Sequence, residues 1–80
     1  MVVPEYTFLP SAFKHGIDEE SMLNAIKSPL GVLHHPNAEV RLVIGFDIDG
    51  YAIEVAYNYR ERTVFHAMKT RRISKSRSRK

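Results

Sequence analysis

Between Val40 and Tyr59 hydrophobic residues recur at every second position. Val40, Leu42, Ile44 and Phe46 keep this period, Asp49-Gly50 interrupts it, and Tyr51, Ile53, Val55, Tyr57 and Tyr59 resume it. Asp-Gly is favoured at the centre of a type I′ turn, so the stretch predicts a β-hairpin with a two-residue turn. That register sets Phe46 opposite Ile53, Ile44 opposite Val55, Leu42 opposite Tyr57 and Val40 opposite Tyr59. The large apolar residues then share a core face. Arg41, Val43, Gly45, Asp47, Ala52, Glu54, Ala56 and Asn58 fall on an open face, free to meet a partner.

The remaining elements follow from local signals. Met1 to Phe8, interrupted by Pro4, reads as an extended or irregular lead-in anchored by Tyr6 and Phe8. Pro10, placed to start a helix, and Gly16, placed to end one, bracket a helix of little more than one turn. Asp18 is positioned as an N-cap, Glu19 and Glu20 suit the positive end of a helix dipole, and Ser28-Pro29 is a stop. A helix over residues 19–27 results, with Met22, Leu23 and Ile26 on its apolar stripe. Gly31 to His35 predicts a short strand antiparallel to the Val40 strand, closed by Pro36-Asn37. Beyond Tyr59, a three-residue loop, Arg60 to Arg62, leads into a strand over residues 63–69. Setting Tyr57 opposite Phe65 and Val55 opposite Ala67 leaves Val64, His66 and Met68 on the open face with Arg41 and Glu54. The expected fold is α+β: two short N-terminal helices on one face of a four-stranded antiparallel β-meander, forming one domain over residues 1–70.

Eighty residues without a cysteine restrict how such a domain can be held together. Neither disulfides nor thiolate zinc sites are available, so the core or a partner must suffice. The sequence contains neither an apolar run of roughly 20 residues nor a signal-peptide pattern, and a soluble, cytoplasmic protein is expected. Net charge is +3, but its distribution matters more than its total. Residues 1–70 hold six bases and nine acids, whereas 71–80, RRISKSRSRK, hold six bases and no acid. Such a tail has too little apolar surface to fold alone, and it is suited to releasing counterions from nucleic acid or to meeting an acidic protein.

Histidine supplies the candidate chemistry. On the open face His66 can be either a partly buried residue hydrogen-bonded to a neighbour such as Glu54, or a general acid or base exchanging a proton with a ribose hydroxyl or a leaving oxygen. Arg41, Lys69, Arg71 and Arg72 are candidates for stabilising charge on a phosphate. His34 and His35, with Asp47 and Asp49, lack metal-ligand spacing, and no metal is expected. Glycine-rich phosphate loops and Ser-His-Asp patterns are also missing. The tyrosines read as sheet packing rather than as a platform for bases.

Lys14-His15-Gly16-Ile17, the acid-started helix ending at Pro29, Val43-Ile44-Gly45, Glu54-Val55 and Phe65-His66-Ala67-Met68 together resemble the small BrnT-like toxins of the RelE/ParE-like type II toxin-antitoxin group. The resemblance spans residues 13–72. It implies a RelE-like fold and a metal-independent endoribonuclease that cuts messenger RNA, free or on the ribosome, and is neutralised by a cognate antitoxin. Carried onto this chain, Lys14 and His15 match the Lys-His-Gly motif, Arg41 a basic residue of the second strand, and His66 and Lys69 the terminal strand motif. Catalysis would then involve His66, Arg41, Lys69 and His15, and RNA binding Lys14, Arg60, Arg62, Arg71 and Arg72. Operator DNA would be met only through the antitoxin complex. No cofactor, metal or membrane is implied. A non-catalytic module binding protein or nucleic acid on the same scaffold remains the alternative.

Overall fold

The computed structural model describes residues 5–33 and 36–70. In chain order they form β1 (Thr7–Phe8), a 3-10 turn (Pro10–Phe13), α1 (Glu19–Lys27), β2 (Gly31–Leu33), β3 (Val40–Phe46), β4 (Ala52–Asn58) and β5 (Thr63–Lys69). The fold is α+β, with one helix and the 3-10 turn packed on a five-stranded sheet of order β1-β5-β4-β3-β2. All neighbouring strands are antiparallel except β1, which runs parallel to β5 and sets Thr7 beside Thr63 and Phe8 beside Val64. The predicted lead-in is therefore a strand, and the meander has five members rather than four. No helix among the described residues is long and apolar enough to cross a membrane.

Helix α1 begins and ends where its local signals place it. The Asp18 carboxylate accepts the Ser21 N–H at 3.1 Å and the Ser21 hydroxyl at 2.8 Å. The same Ser21 hydroxyl accepts the Ile48 N–H at 3.1 Å, tying the helix N-terminus to the β3–β4 turn. The Ser21 side-chain hydrogen bond, foremost among the causes, holds the Asp18 carboxyl below its ordinary pKa; burial pushes the other way. A folded value below the unfolded one means the cap stabilises fully above the ordinary carboxylate range and loses that contribution as pH falls through the folded value. Asp18→Ala is expected to cost about 1 kcal/mol near neutrality. Asp18→Asn should keep much of the cap but flatten its share of the acid-range pH dependence, measured by thermal denaturation between neutral and acid pH.

The β3–β4 turn corrects the predicted register. Asp47 donates its N–H to the Tyr51 carbonyl and accepts Gly50 N–H on its own carbonyl, while its carboxylate takes the N–H groups of Asp49 and Tyr51. These bonds make a three-residue loop, Ile48 to Gly50, with Gly50 at φ 90°. Phe46 consequently faces Ala52, Gly45 faces Ile53 and Val43 faces Val55. One residue of slip exchanges the faces of β3. Val43 and Gly45 turn towards α1, and Leu42, Ile44 and Phe46 lie on the opposite face.

Helix and sheet enclose a core of Met22, Ala25, Ile17 and Ala12 against Val43, Ile53, Val55, Tyr57, Val64 and Ala67. Tyr6 packs edge-on against Tyr57, with ring centroids 5.8 Å apart. On the other face Ile44 and Ala56 are also buried, although no helix lies over them among the described residues.

Candidate functional site

Irregular pairing between β4 and β5 positions His66. Val55 faces Ala67 and Ala56 faces His66, but Tyr57 then faces Val64, leaving Phe65 as an extra residue in β5. The predicted pairing of Tyr57 with Phe65 is thereby corrected. Asn58 pairs with Thr63, which lengthens the loop to the four residues Tyr59 to Arg62. The bulge lets Val64 and Ala67 both enter the helix-side core, so Val64 leaves the open face where it was expected. His66 and Met68 stay on that face, beside Ala56 and Glu54 as predicted.

Glu54 and His66 meet there. The Glu54 Oε2 and His66 Nε2 are 3.1 Å apart. The Glu54 side chain is 13% exposed and that of His66 32%, so the pair is shielded on one side and open to solvent on the other. With Nε2–H donating to the carboxylate, a neutral imidazole keeps its lone pair on Nδ1, available to an incoming hydroxyl.

A second histidine reaches the same place from the N-terminal segment. Beyond β1 the chain runs along β5 as the 3-10 turn, and the Ser11 hydroxyl donates to the Phe65 carbonyl at 2.7 Å. Gly16, at φ 81°, donates its N–H to the Phe13 carbonyl and redirects the chain towards Ile17 and α1. His15, exposed just before this glycine, presents its ring edge-to-face to His66 with centroids 5.9 Å apart. Lys14 adjoins it and is exposed. Two imidazoles, one held by a carboxylate and both open to solvent, can supply a proton acceptor and a proton donor to one substrate.

No family model, curated protein or solved structure matches the chain.

The predicted cations are dispersed. Arg41 faces Tyr57 across the ladder and so lies on the helix side, not on the open face with His66. Its guanidinium sits 4.5 Å from the centroid of the Tyr59 ring. Lys69 faces Ile53, also on the helix side, and its Nζ is 4.6 Å from the Tyr51 ring centroid. Arg60 lies 3.9 Å from Glu39 in a largely exposed pair, and the Arg62 carbonyl accepts the Thr7 N–H. Of the predicted site residues, the structure brings together His66, Glu54, His15 and Lys14. It leaves Arg41, Lys69, Arg60 and Arg62 elsewhere. Arg71 and Arg72, the rest of the basic tail, and His34 and His35 lie outside the described residues. Among the described residues no three metal-ligating side chains form a group.

One constellation escaped the sequence reading: Arg41 over Tyr59. Its signal was present. With Arg41 opposite Tyr57, Tyr59 becomes a diagonal neighbour within reach of a long side chain.

Proposed function

We propose that this chain is a metal-independent endoribonuclease, the toxin of a type II toxin-antitoxin pair. The observation that carries the catalytic part is the convergence of His15 and the Glu54-held His66 on one solvent-open spot. The toxin and antitoxin assignment rests on the resemblance of Lys14-His15-Gly16 and Phe65-His66-Ala67-Met68 to the BrnT-like group.

In this reading Nδ1 of His66 takes the proton of a ribose 2′-hydroxyl as that oxygen attacks the adjacent phosphorus. The bond from phosphorus to the 5′-oxygen breaks, and His15 in its protonated form gives that oxygen a proton. Products are a 2′,3′-cyclic phosphate and a 5′-hydroxyl. Glu54 holds His66 in the tautomer needed and favours the imidazolium that forms. Lys14 is the described cation best placed to attract the phosphate, and the tail adds charge from the sequence side.

Incubating the purified protein with RNA in EDTA tests the reading. Cleavage with cyclic phosphate ends is expected, with a bell-shaped dependence of rate on pH that loses its high-pH limb in His15→Gln. Absence of cleavage, with and without ribosomes, overturns it. The second reading, a non-catalytic binding module, then takes its place. That reading is favoured by the position of Arg41 and Lys69 on the face away from His66, which leaves few cations to clamp a phosphate beside the histidines.

A further inference from the structure

The two edges of the sheet are treated differently. At the β1 side, the 3-10 turn with Pro10 runs along β5, and Ser11 occupies the Phe65 carbonyl. At the other side, β2 has Leu30 and Val32 exposed by 58% and 54%. No Asp, Glu, Lys or Arg occurs between Lys27 and Glu39. Sheet edges are ordinarily defended by charge, proline within the strand or a covering element, and β2 itself has neither charge nor proline.

Where β2 ends, a cation begins. Pairing of β2 with β3 stops at Leu33 opposite Leu42, so Arg41, the next residue of β3, borders an open groove rather than the end of β2. This groove of about 500 Å³ is lined by Val32, Leu33, Val40, Arg41 and Tyr59 among others. Tyr59 supports one face of the Arg41 guanidinium, and the nearby Glu39 is engaged with Arg60. Among the described residues Arg41 makes no ion pair. Its in-plane N–H donors form a fork suited to a carboxylate. The loop behind the groove is fixed, since the Asn37 side chain accepts the Glu39 N–H and the Glu39 carbonyl accepts the Tyr59 N–H.

Val32 and Arg41 point to the same face of the sheet, because Val32 faces Val43 and Arg41 lies two residues from Val43. We propose that the β2 edge and the Arg41 groove receive an extended segment of a partner protein, hydrophobic opposite Val32 and acidic opposite Arg41. The segment adds a sixth strand through main-chain hydrogen bonds, and its carboxylate meets the guanidinium. Because this face is opposite to His66, the proposal stands independently of ribonuclease activity and can be tested on His66→Ala protein.

The test uses defined peptides. Acetyl-Val-Thr-Val-Thr-Glu-Thr-amide and its reversed order serve as probes, each also made with Lys in place of Glu, and binding is followed through backbone amide NMR shifts. Shifts centred on Gly31 to Leu33 and the Arg41 side chain are expected with a Glu peptide. Arg41→Glu should weaken that binding at least about ten-fold, the equivalent of roughly 1.4 kcal/mol, and make the Lys peptide the better ligand. Val32→Lys should abolish binding of both Glu peptides, and circular dichroism checks that each variant is folded. Failure of both Glu peptides to bind, binding indifferent to Arg41→Glu, or shifts centred on the His66 face would overturn the proposal. So would sedimentation showing that a second copy of the chain occupies this edge and is released by Val32→Lys.

Discussion

Gly45→Val is expected to leave the chain largely unfolded at 25 °C, and Gly45→Ala to lose about 3 kcal/mol, near the upper end of the usual overpacking range. A Cβ built on Gly45 would lie 2.7 Å from the Ala25 Cα, 2.8 Å from its Cβ and 3.2 Å from its carbonyl oxygen. Those atoms belong to the helix backbone and its first carbon, which no rotamer change can move. Relief therefore requires α1 to lift from β3, exposing Met22 and Ala25, both fully buried. A domain this small has only about 4–12 kcal/mol of stability in total, so the loss is a large fraction of it. Gly31→Ala provides the control, because nothing lies within 4 Å of a Cβ there. Chemical denaturation should show Gly31→Ala near wild type and Gly45→Ala far below it. The contact itself is isolated by combining Gly45→Ala with Ala25→Gly. If Ala25 is the obstacle, the double variant is more stable than the two single losses predict, despite the roughly 1 kcal/mol that glycine costs a helix. Simple additivity would mean that the helix is not held against Gly45.

That close approach also explains which parts of the fold were legible. Helix α1 is fixed by neighbours in sequence, with Asp18 bonding Ser21 three residues on, and its predicted limits match those observed. The hairpin was legible as a hairpin, but its register depends on two influences that alternation does not carry. One is the Asp47 carboxylate, which organises a longer turn than Asp49-Gly50 suggests. The other is the need for a residue without a side chain beneath Ala25, which only Gly45 satisfies in β3. Apolar size pointed Leu42, Ile44 and Phe46 at the core, whereas close packing selected the smaller Val43 and Gly45. Similarly, β1 has two residues and exists through its pairing with β5, too short for any periodic signal. The Phe65 bulge changed the pairing of Tyr57 without disturbing the Val55–Ala67 register. Glu54 and His66 were therefore correctly placed on one face, while Arg41 was carried to the wrong one by the slip in β3. His15 was singled out through resemblance alone, because its approach to His66 depends on the path of the 3-10 turn along β5.

His66→Ala is expected to lower the rate of RNA cleavage by about 10²–10⁴-fold, the usual contribution of a positioned acid or base, while the protein remains folded. The side chain lies outside the helix-side core and is about one-third exposed, so its loss leaves no closed cavity among those buried residues. Circular dichroism and thermal denaturation should stay close to wild type. Alanine also removes the bond to Glu54, and an inactive variant could then reflect a displaced carboxylate rather than a missing proton carrier. His66→Gln separates the two, since its amide can donate to Glu54 but does not titrate. Under the proposed mechanism it is as inactive as His66→Ala. Glu54→Gln removes the charge that favours imidazolium while keeping an oxygen that can accept from Nε2, and a smaller loss of about ten-fold is expected, concentrated in kcat rather than KM. A His66→Gln protein that still cuts RNA would assign His66 to structure and remove it from the chemistry. Loss in both His66 variants, a partial loss in Glu54→Gln and unchanged thermal stability would place the proton on His66 and its control on Glu54.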